Sequence, residues 1–216
     1  MMKFFNTGER PAKWLRTQRK AAVFLVGVVL VGVVMASLVA AGPANPQSAD
    51  TEAGLAIERV VDVMRDELGN TDGEGYENAL LNAGGELCGG KRGLWCTTFL
   101  WWAYDKADAG GAFCGGEPIS EPRLQAQWYK DHGQFFETMD DENPPQRGDL
   151  FFELLAPEYR FEGCGDISHG EFVLGYDARS RTVTCISANP VVEIHQHSVD
   201  EPEFRGYARP DYTLAD

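Results

Sequence analysis

Cys96 and His169 are the two residues of this chain best suited to perform chemistry together. Cys96 follows a glycine-rich loop and opens an apolar run that contains no Gly or Pro before Gly110. We therefore expect its sulfur at the first turn of a buried helix, where free backbone N–H groups and the helix dipole favour thiolate over thiol. His169 could accept the thiol proton and later return it to a leaving amine, as cysteine-dependent acyl transfer requires.

Four helical segments are predicted between the linker and residue 130, and Cys96 opens one of them. Apolar residues at helical spacing from Leu55 to Leu68 indicate an amphipathic helix that ends at Gly69. Residues 76–81 can form a turn of helix, and 124–130 indicate another short helix. The helix of Cys96 should run to about Asp108. Its predicted core face consists of Phe99, Leu100, Trp102, Ala103 and Ala107.

The second half of the chain is typical of an antiparallel sheet. Predicted strands cover residues 148–154, 172–176, 182–186 and 204–208, and a turn at 177–181 joins the middle two into a hairpin. Helices followed by a meander predict an α+β fold in which the sheet packs against the nucleophile's helix.

The N-terminal part of the chain differs from the rest. Residues 1–20 are basic, and the uncharged apolar run 21–41 is long enough for a transmembrane helix. The basic flank predicts that residues 1–20 lie in the cytoplasm, with 42–54 as a linker and a folded domain from 55 to 212 outside. Small residues at 39–41 also fit a signal-peptidase site, so the segment is either an anchor or a cleaved signal sequence.

Charge and cysteine content narrow the function classes. Six of 19 basic and one of 33 acidic side chains precede residue 42, which leaves 13 basic against 32 acidic ones and a net charge of −19. This excess repels nucleic acid. Besides Cys96, four cysteines remain, and Cys88 with Cys114 is the favoured disulfide pair. Their spacing does not fit a structural zinc site, and neither a metal nor a cofactor is expected.

Five separated motifs resemble those of the CHAP family, the cysteine- and histidine-dependent amidohydrolases/peptidases among the NlpC-like, papain-type cysteine hydrolases. The family shows W-C-A-x-F-V-x-W, P-G-D-x-x-F-F, a histidine that opens a strand, E-G-N and G-Y-G-R-P. In this chain the corresponding residues are, in order, 95–103, 146–152, 166–169, 187–189 and 206–210.

The resemblance implies a papain-like fold and peptidoglycan as the substrate. It assigns Cys96 as the nucleophile, His169 as the general base and acid, and Asn189 as the residue that orients the imidazole or assists at the oxyanion. The backbone N–H of Cys96 would be one oxyanion donor. The expected protein is thus a bacterial cell-wall amidase or endopeptidase that works through an acyl-enzyme, with its domain outside the membrane.

Two positions depart from the family pattern. The family often has Gly two residues after the histidine and an acidic residue two before the Asn, where this chain has Glu171 and Ser187. Glu171 shares a strand face with His169 and could orient it, or it could be a solvated strand residue. Because of these departures, one alternative is a catalytically impaired module that binds wall peptides or an envelope partner. Another alternative is amide transfer, since an acyl-enzyme can serve transfer as well as hydrolysis.

The remaining polar candidates are interpreted as structural. His195 and His197 share one face of an edge segment and could bind a metal, but are expected to be surface histidines. His132 should face solvent, and residues 140–142 form a solvated acidic loop. Trp102 is expected in the core rather than in a substrate groove.

Overall fold

A computed structural model describes residues 51–157, 160–188 and 190–215. The predicted basic segment and the apolar run 21–41 lie outside these residues, as does Asn189. Within the described residues, no helix combines the length and apolar character needed to cross a bilayer.

Four α-helices form the N-terminal half of the described region: α1 (Glu52–Asp66), α2 (Glu74–Asn82), α3 (Cys96–Lys106) and α4 (Pro122–Asp131). All four confirm predicted segments. Helix α1 starts inside the predicted linker because the Thr51 hydroxyl accepts a hydrogen bond from the Gly54 N–H (3.0 Å) and caps it there.

The strands form one antiparallel sheet in the order β1-β6-β2-β3-β4-β5. Their bounds are β1 (Phe135–Phe136), β2 (Leu150–Glu153), β3 (His169–Asp177), β4 (Thr182–Ser187), β5 (Glu193–Ser198) and β6 (Phe204–Ala208). The α+β class is therefore confirmed, and β5 is an edge strand as the histidine-bearing segment suggested.

The two faces of the sheet have different neighbours. Leu150, Phe152, Phe172 and Ile186 join the main hydrophobic core, which also contains Phe99 of α3. The opposite face carries a smaller cluster whose members are Phe151, Val173, Val183, Cys185 and Val199. Since side chains alternate along each strand, His169 and Glu171 belong to this second face.

Two of the motif segments contact each other just before the start of β2. Arg209 donates from Nε to Asp149 Oδ1 (3.1 Å) and from a terminal nitrogen to Oδ2 (3.0 Å). Asp149 is 2% exposed, so the carboxylate of this bidentate pair is desolvated, while the Arg209 side chain is 25% exposed. Gly148 precedes it with φ +96°, a conformation that side-chain-bearing residues rarely adopt. The pair fixes β2 beside the segment after β6.

Candidate active site

Cys96 is the first residue of α3, and the preceding loop is held onto α2. Glu77 accepts hydrogen bonds from the Gly93 N–H (2.7 Å) and from Arg92 (3.0 Å) although it is only 3% exposed. The Trp95 ring packs directly over Gly73, where a Cβ atom would come within 2.4 Å of it. These contacts fix the point at which the chain turns into α3 and present Cys96 at the helix start.

His169, the first residue of β3, lies close enough to Cys96 for the two side chains to interact electrostatically, and this interaction shifts the pKa of both. The structure thus brings together the two residues that the sequence singled out. Gly170 makes the close approach of β3 to α3 possible, because a Cβ atom there would lie 2.8 Å from Thr97 Cγ2. The Thr97 hydroxyl donates to the Ser120 carbonyl, which limits how far that side chain can turn away.

Glu171 takes up the other side of the His169 ring. Nε2 of His169 lies 3.1 Å from Glu171 Oε1 and 3.3 Å from Ser187 Oγ, and Ser187 donates to the same carboxylate oxygen at 3.0 Å. Positions 171 and 187 lie opposite each other, since they continue the β3–β4 register that pairs Phe172 with Ile186. Glu171 is 1% exposed, so the structure places it as a partner of the imidazole and excludes the solvated alternative.

The charges of this site are coupled. Burial by itself would raise the pKa of the Cys96 thiol, but the charge and hydrogen bond of His169 and contacts from Thr97 outweigh it, so this pKa is lowered. Burial would lower the pKa of His169, but Cys96 and Glu171 raise it well above its usual value. Both shifts favour the thiolate–imidazolium form of the pair.

The network continues beyond Glu171 into β5 and β2. His197 donates from Nε2 to Glu171 Oε2 (3.0 Å), and its Nδ1 lies 3.6 Å from Glu153 Oε2. The expectation of a surface residue is wrong for His197, because its ring stacks on Phe151 with centroids 5.3 Å apart and its side chain is 17% exposed. His195 remains more open and lies 3.7 Å from Glu193.

Glu153, His169 and Glu171 also offer donor atoms that all lie within 4.8 Å of one another. A tetrahedral zinc ion with bonds of 2.0–2.1 Å would bring its ligand atoms to about 3.3 Å from one another. Here His169 and His197 donate to the two oxygens of Glu171 instead, and Glu153 Oε2 lies 3.6 Å from His197 Nδ1. We interpret the cluster as a hydrogen-bonded chain of alternating charge.

The other cysteines lie apart from this chemistry. All five are free thiols. The predicted pairing of Cys88 with Cys114 is wrong for this structure: Cys88 belongs to a small cluster with Phe161 and Cys164, whereas Cys114 lies in the main core beside Tyr129. Burial raises the pKa of Cys88, Cys114 and Cys185.

Access to the pair is narrow. Cys96 is 4% exposed and His169 6% exposed. A cleft of about 310 Å³ borders Trp95, the residue immediately before the nucleophile. It is lined by Asp72, Gly73, Glu74, Glu77, Arg92, Gly93 and Trp95. The acidic residues that line it lie near the N-terminal end of α3, beside the loop that precedes Cys96.

The sequence interpretation missed His197 and Glu153 as parts of the site. For Glu153, strand pairing could have indicated this. Glu153 of β2 lies opposite His169 of β3, and directly paired residues project to the same side of a sheet. His197 pairs with Val183 of β4, and its reach over β4 to Glu171 depends on side-chain conformation that no pattern encodes.

Comparisons with known proteins do not identify a relative. No family model matches the chain, and neither curated proteins nor solved structures contain a significant match. The resemblance to the CHAP family therefore stays a prediction based on the motifs.

The lowered pKa of Cys96 predicts selective alkylation. At pH 6.5 only about one per cent of an ordinary thiol with a pKa near 8.5 is ionised. We expect iodoacetamide at that pH to modify Cys96 at least tenfold faster than Cys114 or Cys185, whose pKa values are raised, as measured by mass spectrometry of peptides. Equal rates at the three thiols would contradict the activated thiolate.

Gly170 predicts a steric test of the Cys96–His169 contact. In Gly170→Ala the added methyl group meets Thr97 and forces β3 away from α3, so alkylation of Cys96 at pH 6.5 should fall at least fivefold. Gly175→Ala is the matched control, since it lies on the same strand and its Cβ would meet nothing within 4 Å. Equal loss in both variants would mean that general strand damage, rather than this approach, controls the thiol.

Proposed function

We propose that residues 55–212 form a cysteine-dependent hydrolase of bacterial peptidoglycan, an amidase or endopeptidase. The observation that carries this proposal is the contact between Cys96 at the start of α3 and His169, whose ring is held from its far side by the buried carboxylate of Glu171. The order and spacing of the five motifs support the choice of substrate class.

In the proposed reaction the Cys96 thiolate attacks the carbonyl carbon of a wall peptide bond. The oxyanion that forms lies near the Cys96 N–H, where Trp95 at the N-cap position makes no side-chain hydrogen bond to the first turn. His169 gives its proton to the leaving amine, and a thioester remains on Cys96. His169 then takes a proton from water, the hydroxide attacks the thioester, and the thiolate and a carboxylic acid are released.

Glu171 serves as a positioning residue in this scheme. Because Nε2 of His169 faces Glu171 and Ser187, we assign the sulfur to Nδ1. The carboxylate stabilises the imidazolium and fixes the ring plane, which the resemblance assigns in part to Asn189. Glu171 also compensates for the missing acidic residue at position 187. Its carboxylate comes from β3 rather than from β4, but it lies beside His169 Nε2, the nitrogen that Ser187 approaches from β4.

The proposed location follows from the sequence. The apolar segment 21–41 would tether the domain to the outer side of the cytoplasmic membrane, within reach of the wall, or would be cleaved to release it. The low exposure of Cys96 favours one alternative function, a CHAP-like module that binds wall peptides without cutting them. Amide transfer uses the same acyl-enzyme and differs only in the nucleophile that resolves it.

Digestion of purified peptidoglycan tests the proposal. The purified full chain should release new amino groups and soluble muropeptides, and Cys96→Ala should abolish release because the proposed thioester forms on the Cys96 sulfur. Cys88→Ala, which removes a nearby buried thiol of raised pKa, should retain most of the activity. Binding to an undigested wall by both the wild-type chain and Cys96→Ala would instead support the binding module.

An exchange of residues 171 and 187 tests the relocated carboxylate. Glu171→Ser alone should lower the rate of hydrolysis and of Cys96 alkylation about tenfold to a hundredfold, since a buried imidazolium loses a charged acceptor. The double variant Glu171→Ser with Ser187→Glu returns a carboxylate to the same nitrogen from β4 and should recover part of the loss. If Glu171→Ser keeps wild-type rates, the carboxylate has no role in the chemistry.

A further inference from the structure

Glu171 is bound at both of its carboxylate oxygens by different elements. Oε1 accepts from His169 Nε2 and Ser187 Oγ, and Oε2 accepts from His197 Nε2 at 3.0 Å. A carboxylate held in this way has little freedom to rotate about its terminal bond. The orientation that it offers to His169 therefore depends on a residue of the edge strand β5.

We propose that His197 is a second positioning residue, which donates to the Glu171 carboxylate and aligns it so that Glu171 can hold the His169 ring. The inference rests on the proposed function, in which His169 is the general base and acid. It extends the chain of interacting groups to Cys96, His169, Glu171 and His197. Along this series, thiolate, imidazolium, carboxylate and imidazolium alternate in charge and sum to zero. Cys96, His169 and Glu171 are buried, and His197 is partly buried.

The residues around His197 fix the position of its ring and favour its charged form. Its ring stacks on Phe151 at an interplanar angle of 21°, which fixes the ring plane, and Nδ1 faces Glu153. Burial would lower the pKa of His197, but Glu171, Glu153 and Glu201 raise it. Burial would raise the pKa of Glu171, but His169 and His197 together lower it. Each partner thus favours the charged form of the other.

Other titratable groups lie on this face of the sheet, and their ionisation also contributes to the pH dependence of Cys96 alkylation. They are Glu153 on β2, His169 and Glu171 on β3, Cys185 on β4, His195 on β5 and Glu201 in the turn that follows. Burial raises the pKa of Glu153, which moves its ionisation toward neutral pH. The comparison between variants at position 197 must therefore be made across the same pH range.

Two substitutions at position 197 separate positioning from packing. His197→Phe keeps an aromatic ring on Phe151 but removes the N–H donor, whereas His197→Gln loses the stacking but keeps an N–H group that can reach Glu171. A packing role predicts that Phe is the better replacement. A positioning role predicts that Gln is better, and that His195→Ala, on the same face of β5, behaves as wild type.

The experiment measures iodoacetamide alkylation of Cys96 in the purified full chain from pH 5 to 9, together with kcat and KM for peptidoglycan fragments. We expect His197→Phe to lower kcat roughly tenfold or more at unchanged KM and to narrow the pH range of fast alkylation, while His197→Gln recovers at least a third of the wild-type rate. Thermal unfolding of each variant shows whether it is folded.

The outcomes distinguish this inference from the proposed function. If His197→Phe alkylates and hydrolyses as fast as wild type, or faster than His197→Gln, His197 does not position Glu171 even if the chain digests peptidoglycan. The chain could instead leave peptidoglycan intact while Cys96 is alkylated fastest in the wild type, more slowly in His197→Gln and most slowly in His197→Phe. In that case the positioning role is supported and the assigned substrate is wrong.

Discussion

The close approach of α3 to β3 is the constraint on which the rest of the structure depends. One element brings a cysteine at its first residue and the other a histidine at its first residue, and they belong to opposite halves of the chain. The approach requires that no side chain stand between them, which Gly170 provides against Thr97. The core around Phe99 and Phe172 then holds the two elements in place. The Cys96 and His169 side chains are themselves only 4% and 6% exposed.

The fold was largely predictable because its elements carry strong local signals. The apolar spacing of α1 and the runs that became β2, β3, β4 and β6 each indicate one structure from sequence alone, and their order fixes the α+β class. Strand β1 was missed because two residues, Phe135 and Phe136, are too few for a pattern. They form a strand only because Ala208 and Tyr207 of β6 pair with them.

The site was predictable to the extent that its groups follow from chain order. Cys96 and His169 could be named from motif spacing, and Glu171 from its strand parity with His169. The decision about Glu171 could not be made from the sequence, because its role depends on burial and on Ser187 across the β3–β4 pair. The family motif has a carboxylate at the position of Ser187, whereas in this structure the carboxylate is that of Glu171 on the neighbouring strand, 3.1 Å from the same imidazole nitrogen that Ser187 approaches.

The position of β5 at the rim of the sheet has a kinetic consequence. An outermost strand has a neighbour on one side only, so its hydrogen bonds open more readily than those of inner strands. Since His197 stands on β5, a brief fraying of the rim would release one end of Glu171 while Cys96 and the core remain folded. Order at the candidate site is therefore coupled to one of the two edge strands of the sheet, and it can be lost before the domain unfolds.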